Sequence, residues 1–258
     1  SISGDIRAFN RITGKLVWIF HTIPKPGEFG AETWGPEPRK KNGGANCWAG
    51  LALDEKRGIV YIPTGSPSFD FYGADRPGQN LFGNCLLALN ASTGKRIWHY
   101  QTTHHDLWDR DNGSPPNLLT VNHNGKKIDA VGLLTKMGYV FLFDRENGTP
   151  LFPIEEVPVD TISTMPGEKP WPTQPIPTKP APFARQGYKP EYISDATPTS
   201  AQYIKDEIKK HGYKTGIYEP PGLMGTLLLP TAHGGANWGG GSVNTNTNVL
   251  FVNSNDMP

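Results

Sequence analysis

Apolar residues along the chain fall into short runs with the makeup of β-strands, and Gly, Pro, Asn or Asp closes most of them. One such pattern recurs. Residues 6–18, "IRAFNRITGKLVW", return at 86–98 as "LLALNASTGKRIW" and, more loosely, at 140–152 as "VFLFDRENGTPLF". Each copy predicts an apolar strand, an Asn or Asp, a turn ending in Gly14, Gly94 or Gly148, and a second strand ending in Trp18, Trp98 or Phe152. The glycine stands where the turn needs a positive φ, and the Asn or Asp can bond its own loop backbone. A fainter repeat sets Trp48 and Trp238 at equal distances ahead of Asp54 and Asn244, and of the strands "IVYIPTGS" and "VLFVNSND".

Hairpins that return with fixed glycine and aromatic positions predict an all-β fold, a β-propeller of four-stranded blades packed around a central channel. A β-sandwich also has alternating strands but gives no reason for one turn sequence to return. The pattern breaks at 153–221, a Pro-rich stretch with several Trp, Phe and Tyr residues, which predicts an extended insertion lying over the propeller. Within it, residues 199–211, "TSAQYIKDEIKKH", open with Thr and Ser, place acidic residues before basic ones, and space Tyr203 and Ile204 against Ile208. That predicts one short helix. Residues 1–258 are thus read as part of a single propeller domain.

Composition narrows the partners. The 30 Gly and 25 Pro suit short strands and tight turns, and 25 Lys and Arg against 24 Asp and Glu leave no charge field for nucleic acid or an anionic membrane. Cys47 and Cys85 stand far apart without zinc-type spacing. No apolar run approaches the roughly 18 residues of a membrane span, so membrane association is expected only through segments absent from this chain. The N-terminus lacks signal-peptide blocks and opens within a strand-like pattern, as a piece of a longer protein would.

The densest chemistry lies in "HHDLWDRD", residues 104–111, directly after a predicted strand. Read alone, it is either a solvated turn or a loop holding a carboxylate against an aromatic wall. Taken in order with "ALNASTGKRIW", "TKMGYVFLFDRENG", "WPTQP" and "GTLLLP…NWGG", it resembles the quinoprotein dehydrogenases, which use pyrroloquinoline quinone (PQQ). The resemblance runs over essentially the whole chain. It is strongest toward the branch that includes membrane glucose dehydrogenase and the polyol and quinate dehydrogenases. It implies about half of an eight-bladed propeller, PQQ with Ca²⁺ or Mg²⁺, a sugar or polyol substrate, ubiquinone or cytochrome c as electron acceptor, and a periplasmic or periplasm-facing location.

Such chemistry needs a base for the hydroxyl proton, a Lewis acid on the quinone oxygens and flat walls around the ring. The resemblance assigns Asp109 as the base, and Asp106 and Asp111 then read as turn and capping residues. Lys136 matches the lysine at the quinone oxygens, although alone it would read as a gatekeeper at the start of a strand. Trp48 matches the tryptophan on which PQQ stacks, with ordinary core packing as the competing reading. Trp238 is expected near the same channel, and Asn253 matches a cofactor-bonding asparagine. Ser66 occupies a position near the bound cation, whose main ligands are expected upstream of Ser1. His104 and His105 are either site-lining or strand-exit residues. Asn237 stands where glucose dehydrogenase has Glu before "WGG". The competing functions are a non-catalytic propeller scaffold, which has no use for the Asp109 and Lys136 pair, and a PQQ alcohol dehydrogenase. No CxxCH haem motif occurs in the chain.

Overall fold

The computed structural model describes residues 2–257. Strands β1 (Ile6–Phe9) and β2 (Leu16–Phe20) form an antiparallel hairpin. Strands β3 (Ala52–Asp54), β4 (Ile59–Pro63), β5 (Cys85–Asn90) and β6 (Arg96–Gln101) then pair in chain order as a four-stranded antiparallel sheet. A three-stranded sheet follows, built of β7 (Asn117–His123), β8 (Lys126–Leu134) and β9 (Val140–Asp144). Two further hairpins are β10 (Ile154–Pro158) with β11 (Thr173–Pro177), and β12 (Gly241–Asn244) with β13 (Val249–Val252). The α-helices among the described residues are a single turn, α1 (Pro38–Lys41), and α2 (Ser200–His211). This is the all-β propeller pattern, with one sheet reaching the expected four strands.

The third sheet stops short for a local reason. After the Gly148 turn the chain returns beside β9 only through a single bridge between Phe143 and Pro150 and a bond from Leu151 N–H to Leu142 O. Pro150 lacks an N–H for the ladder, and Pro153 follows. The predicted strand ending at Phe152 is therefore vestigial.

The repeated turn does more than its sequence indicated. Asn10, Asn90 and Asp144 each accept the N–H two residues on, at 3.0, 3.1 and 2.8 Å, and Gly14, Gly94 and Gly148 have φ of 67°, 69° and 74°. In addition, the aromatic anchor of one unit docks on the glycine turn of the next. Trp18 Nε1 donates to Ala91 O and Trp98 Nε1 to Arg145 O, both at 3.0 Å. A Cβ at Gly94 or Gly148 would lie 2.6 Å from the docked indole. Glycine is thus required twice, for the turn and for the joint between sheets.

The second sheet is buried on both faces, which explains why β4 and β5 read as unbroken apolar runs. Cys85, Leu87 and Leu89 of β5 pack with Trp18 and Phe20 of the first hairpin. Leu86 and Ala88, pointing the other way, pack with Trp98, Val131, Leu133, Phe141 and Phe143 toward the third sheet. Each fully buried leucine or phenylalanine contributes about 1.5–3 kcal/mol. Both cysteines are free thiols, and no helix among the described residues is long and apolar enough to cross a membrane.

The insertion departs from its expected form. It contains the β10–β11 hairpin and directs side chains onto the loop that follows β6. Helix α2 starts within a residue of its predicted position, ends on Gly212 at φ 62°, and buries none of its residues fully.

Candidate active site

Between β6 and β7 the chain passes through "TTHHDLWDRDN", polar residues that are nonetheless almost all buried. Buried polar groups need partners, and Asp106 supplies several. Its Oδ1 accepts from Trp108 N–H at 2.9 Å, and its Oδ2 accepts from Arg110 N–H at 2.6 Å, Asn84 Nδ2 at 2.9 Å and the Ser66 hydroxyl. The loop winds around this carboxylate. Asp109 is left at its apex with φ 58°, a left-handed conformation that persists only where the surroundings impose it.

Lys136 meets that apex from the third sheet. The sequence placed it at a strand start. It lies instead in the tight connection from β8 to β9, closed by bonds between Thr135 and Tyr139 and from Gly138 N–H to Thr135 O. Its Nζ donates to Asp109 Oδ2 and Asp109 O, both at 3.0 Å, and to Asp111 Oδ2 at 2.7 Å. Asp111 also accepts Ser66 N–H at 2.7 Å, and a Cβ at Gly65 would lie 2.1 Å from its Oδ1. Asp111 is thus no capping residue: it is the second carboxylate of the site.

Two carboxylates around one ammonium cannot behave alike. Burial, and then the neighbouring Asp111, push the Asp109 carboxyl up to about 8. Asp111 is held below the ordinary carboxylate range: burial opposes its charge, but its hydrogen bond with Asp109 and the Lys136 ammonium outweigh burial. Burial likewise works against the Lys136 charge, and the two carboxylates, Asp111 foremost, hold it above the ordinary lysine value. The result is a fixed cation and anion beside a carboxyl that exchanges its proton near neutral pH.

The aromatic wall stands next to this cluster. Trp48 is half-buried, its ring centre 5.8 Å from Lys136 Nζ and 4.7 Å from that of Trp238, at an interplanar angle of 52°. Trp238 is 70% exposed, with its backbone N–H on Gly113 O. Asn253 is exposed just after β13. Its N–H donates to Gly240 O, and its side chain abuts Gly239, so it sits beside the Trp238 loop and not in the carboxylate cluster. Ser66 is buried, its hydroxyl donating to Asp106 and accepting from Asn84 at 3.2 Å.

His104 and His105 also resolve. His104 Nδ1 contacts Gln101 Oε1 at 2.6 Å and its Nε2 contacts Glu156 Oε1 at 3.1 Å, while His105 is buried against Gly78 O and Glu168. Both brace the loop from behind. Asn84, Arg110 and Glu168 were not singled out in sequence, because their partners come from far along the chain.

These residues suit the cofactor that the resemblance implies. A flat quinone would find the Trp48 face with the Lys136 ammonium 5.8 Å from the indole centre, and Asn237 Oδ1, buried without a partner beside Trp48, would accept from a donor on it. A cation shell is a different matter. No cluster of three or more His, Cys, Asp or Glu groups able to hold a metal occurs among the described residues.

Comparison with known proteins shows the family and the fold. The family model described as PQQ glucose/ethanol/alcohol dehydrogenase, beta-propeller domain, matches residues 1–258. Quinoprotein glucose dehydrogenase A of Acinetobacter calcoaceticus is 38% identical over 99% of the chain and 32% of its own length. The glycerol dehydrogenase large subunit of Gluconobacter oxydans is 30% identical over 99% of the chain and 34% of its own. The crystal structure of quinohemoprotein alcohol dehydrogenase from Comamonas testosteroni superposes with a TM-score of 0.67 at 23% identity, over 99% of the chain and 34% of that protein, and supports the fold. The chain therefore spans about a third of the length of the relatives it matches. Hairpin repeat, docked tryptophans and family match converge: the chain belongs to the β-propeller family of the PQQ-dependent glucose, ethanol and alcohol dehydrogenases.

Proposed function

We propose that this propeller serves a PQQ-dependent dehydrogenase that oxidises a sugar or polyol hydroxyl, with Asp109 as the base. The observation that carries this reading is geometric: Asp109 Oδ2 is held 3.0 Å from Lys136 Nζ, which in turn lies 5.8 Å from the centre of the Trp48 ring, and burial beside Asp111 pushes the Asp109 carboxyl up to about 8. A group exchanging its proton near the working pH is matched to general base catalysis. The similar relatives carry the names of a glucose and a glycerol dehydrogenase, which supports the substrate class.

When bound, the quinone supplies the acceptor for the hydride that leaves the carbinol carbon. Asp109 Oδ takes the hydroxyl proton in the same event, so the alcohol becomes a carbonyl with its two electrons and both hydrogens accounted for. Lys136 would supply fixed positive charge for negative charge developing on the quinone oxygens, and the Trp48 indole, with Trp238 against it, would offer the ring a flat wall. Asn253 extends that wall with a side-chain amide. A Ca²⁺ or Mg²⁺ ion would take its main oxygen ligands from outside this chain, with Ser66 as the candidate donor within it. Electrons then pass to a quinone or a cytochrome c, on the periplasmic side of the membrane.

In the full-length holoprotein, Asp109→Asn is expected to leave PQQ affinity within a few-fold and to lower kcat by roughly 10² or more. In the parent, kcat/KM should rise with pH toward about 8, since only the ionised carboxyl can accept the proton. Activity of the Asn variant within a few-fold of the parent removes Asp109 from the role.

A further inference from the structure

The Pro-rich insertion sends several of its buried contacts to the loop that carries Asp109, and others to the connection that carries Lys136. Gln174, at the start of the second insertion strand, grips the backbone of His104 in both directions: its Oε1 accepts His104 N–H at 2.9 Å and its Nε2 donates to His104 O at 2.8 Å. Trp108 Nε1 donates to Glu219 O at 2.7 Å, and its ring meets Tyr218 edge-on at 5.2 Å. Between these anchors, His105 and Glu168 form an ion pair at 2.9 Å, with side chains only 1% and 2% exposed.

The pair is fully engaged. His105 Nδ1 faces Gly78 O at 2.8 Å and Nε2 faces Glu168 Oε1 at 2.9 Å, so both ring nitrogens are engaged. The other Glu168 oxygen accepts Gly73 N–H. Burial alone would push the Glu168 carboxyl up. The hydrogen bonds from His105 and Gly73 outweigh burial and hold it below the ordinary range.

Such a pair is a costly way to fill space, because apolar side chains of similar volume generally stabilise an interior as well or better. What it supplies is direction. His105 itself has φ 43° and Asp109 φ 58°, two left-handed residues within one loop that must be held by their surroundings. We propose that Glu168 and His105 are a positioning pair: the insertion uses them to lock the loop 104–111 so that Asp109 presents its carboxyl to the substrate. The proposal rests on the reading of Asp109 as base.

The test uses the full-length holoprotein with PQQ and compares Glu168→Gln and the double variant His105→Gln/Glu168→Gln with the parent. The double variant removes both charges from the interior and so guards against simple misfolding. In both variants kcat is expected to fall about tenfold or more, the scale of a displaced catalytic group, with KM and PQQ affinity within about twofold. Amide hydrogen exchange should accelerate across 104–111 and leave the second sheet protected. Parental kcat in the double variant, or loss of thermal stability with unchanged kcat per bound PQQ, overturns the proposal. If the parent turns over no substrate, the reading of Asp109 fails on its own. Exchange then still decides the clasp, because unchanged protection of 104–111 in Glu168→Gln contradicts it.

Discussion

A single lysine ammonium explains much of the site at the residue scale. Lys136 is almost wholly buried, and its three donated bonds go to one backbone oxygen and two carboxylates. Removing it would leave Asp109 and Asp111 facing each other without a counter-charge, so the pair would hold a proton more tightly. Lys136→Ala is therefore expected to lower quinone reduction by roughly tenfold or more. Far-UV circular dichroism should stay that of the parent, because the lysine lies outside the apolar core; parental activity contradicts the assignment. The motif context pointed to Asp109, Lys136, Trp48 and Trp238, and these do lie together. Asp111 escaped it. Nothing local distinguishes a capping aspartate from one that bonds a lysine 25 residues away, and only the fold brings them to 2.7 Å.

Repetition made the hairpins legible at the element scale, and its limits are physical. A turn of Asn or Asp followed by Gly is specified by its own residues, so the strands flanking Gly14 and Gly94, and the strand before Gly148, could be located from sequence. The β10–β11 hairpin could not. Proline masks strand alternation, and pairing between Ile154–Pro158 and Thr173–Pro177 bridges a long loop. Docking of Trp98 on Gly148 was equally hidden, because it joins separate sheets. It carries a clear consequence: Gly148→Ala meets both a φ of 74° and the docked indole, and should destabilise by about 2 kcal/mol or more. The check is the denaturant midpoint at constant m-value. A loss under about 0.5 kcal/mol would mean that the joint yields freely.

For the whole molecule, the first three sheets follow one another in chain order, and both outermost hairpins carry exposed apolar residues. Phe9, Leu16 and Val17 are exposed on β1–β2, and Val249 and Phe251 on β13. The site lies between these edges and is built from the second and third sheets, the loop 104–111, the insertion and the Trp238 loop. No single element contains it, which is why sequence reading reached the fold class more readily than the full set of site residues. The decisive measurement is made on the full-length protein: reconstitution with PQQ in the presence of Ca²⁺ or Mg²⁺, titration of cofactor binding, and turnover of a panel of sugars and polyols with an artificial electron acceptor. Stoichiometric PQQ binding with turnover of at least one sugar or polyol is the expected result. A folded, soluble protein that neither binds PQQ nor oxidises any of them would make the propeller a non-catalytic scaffold and contradict the function proposed for it.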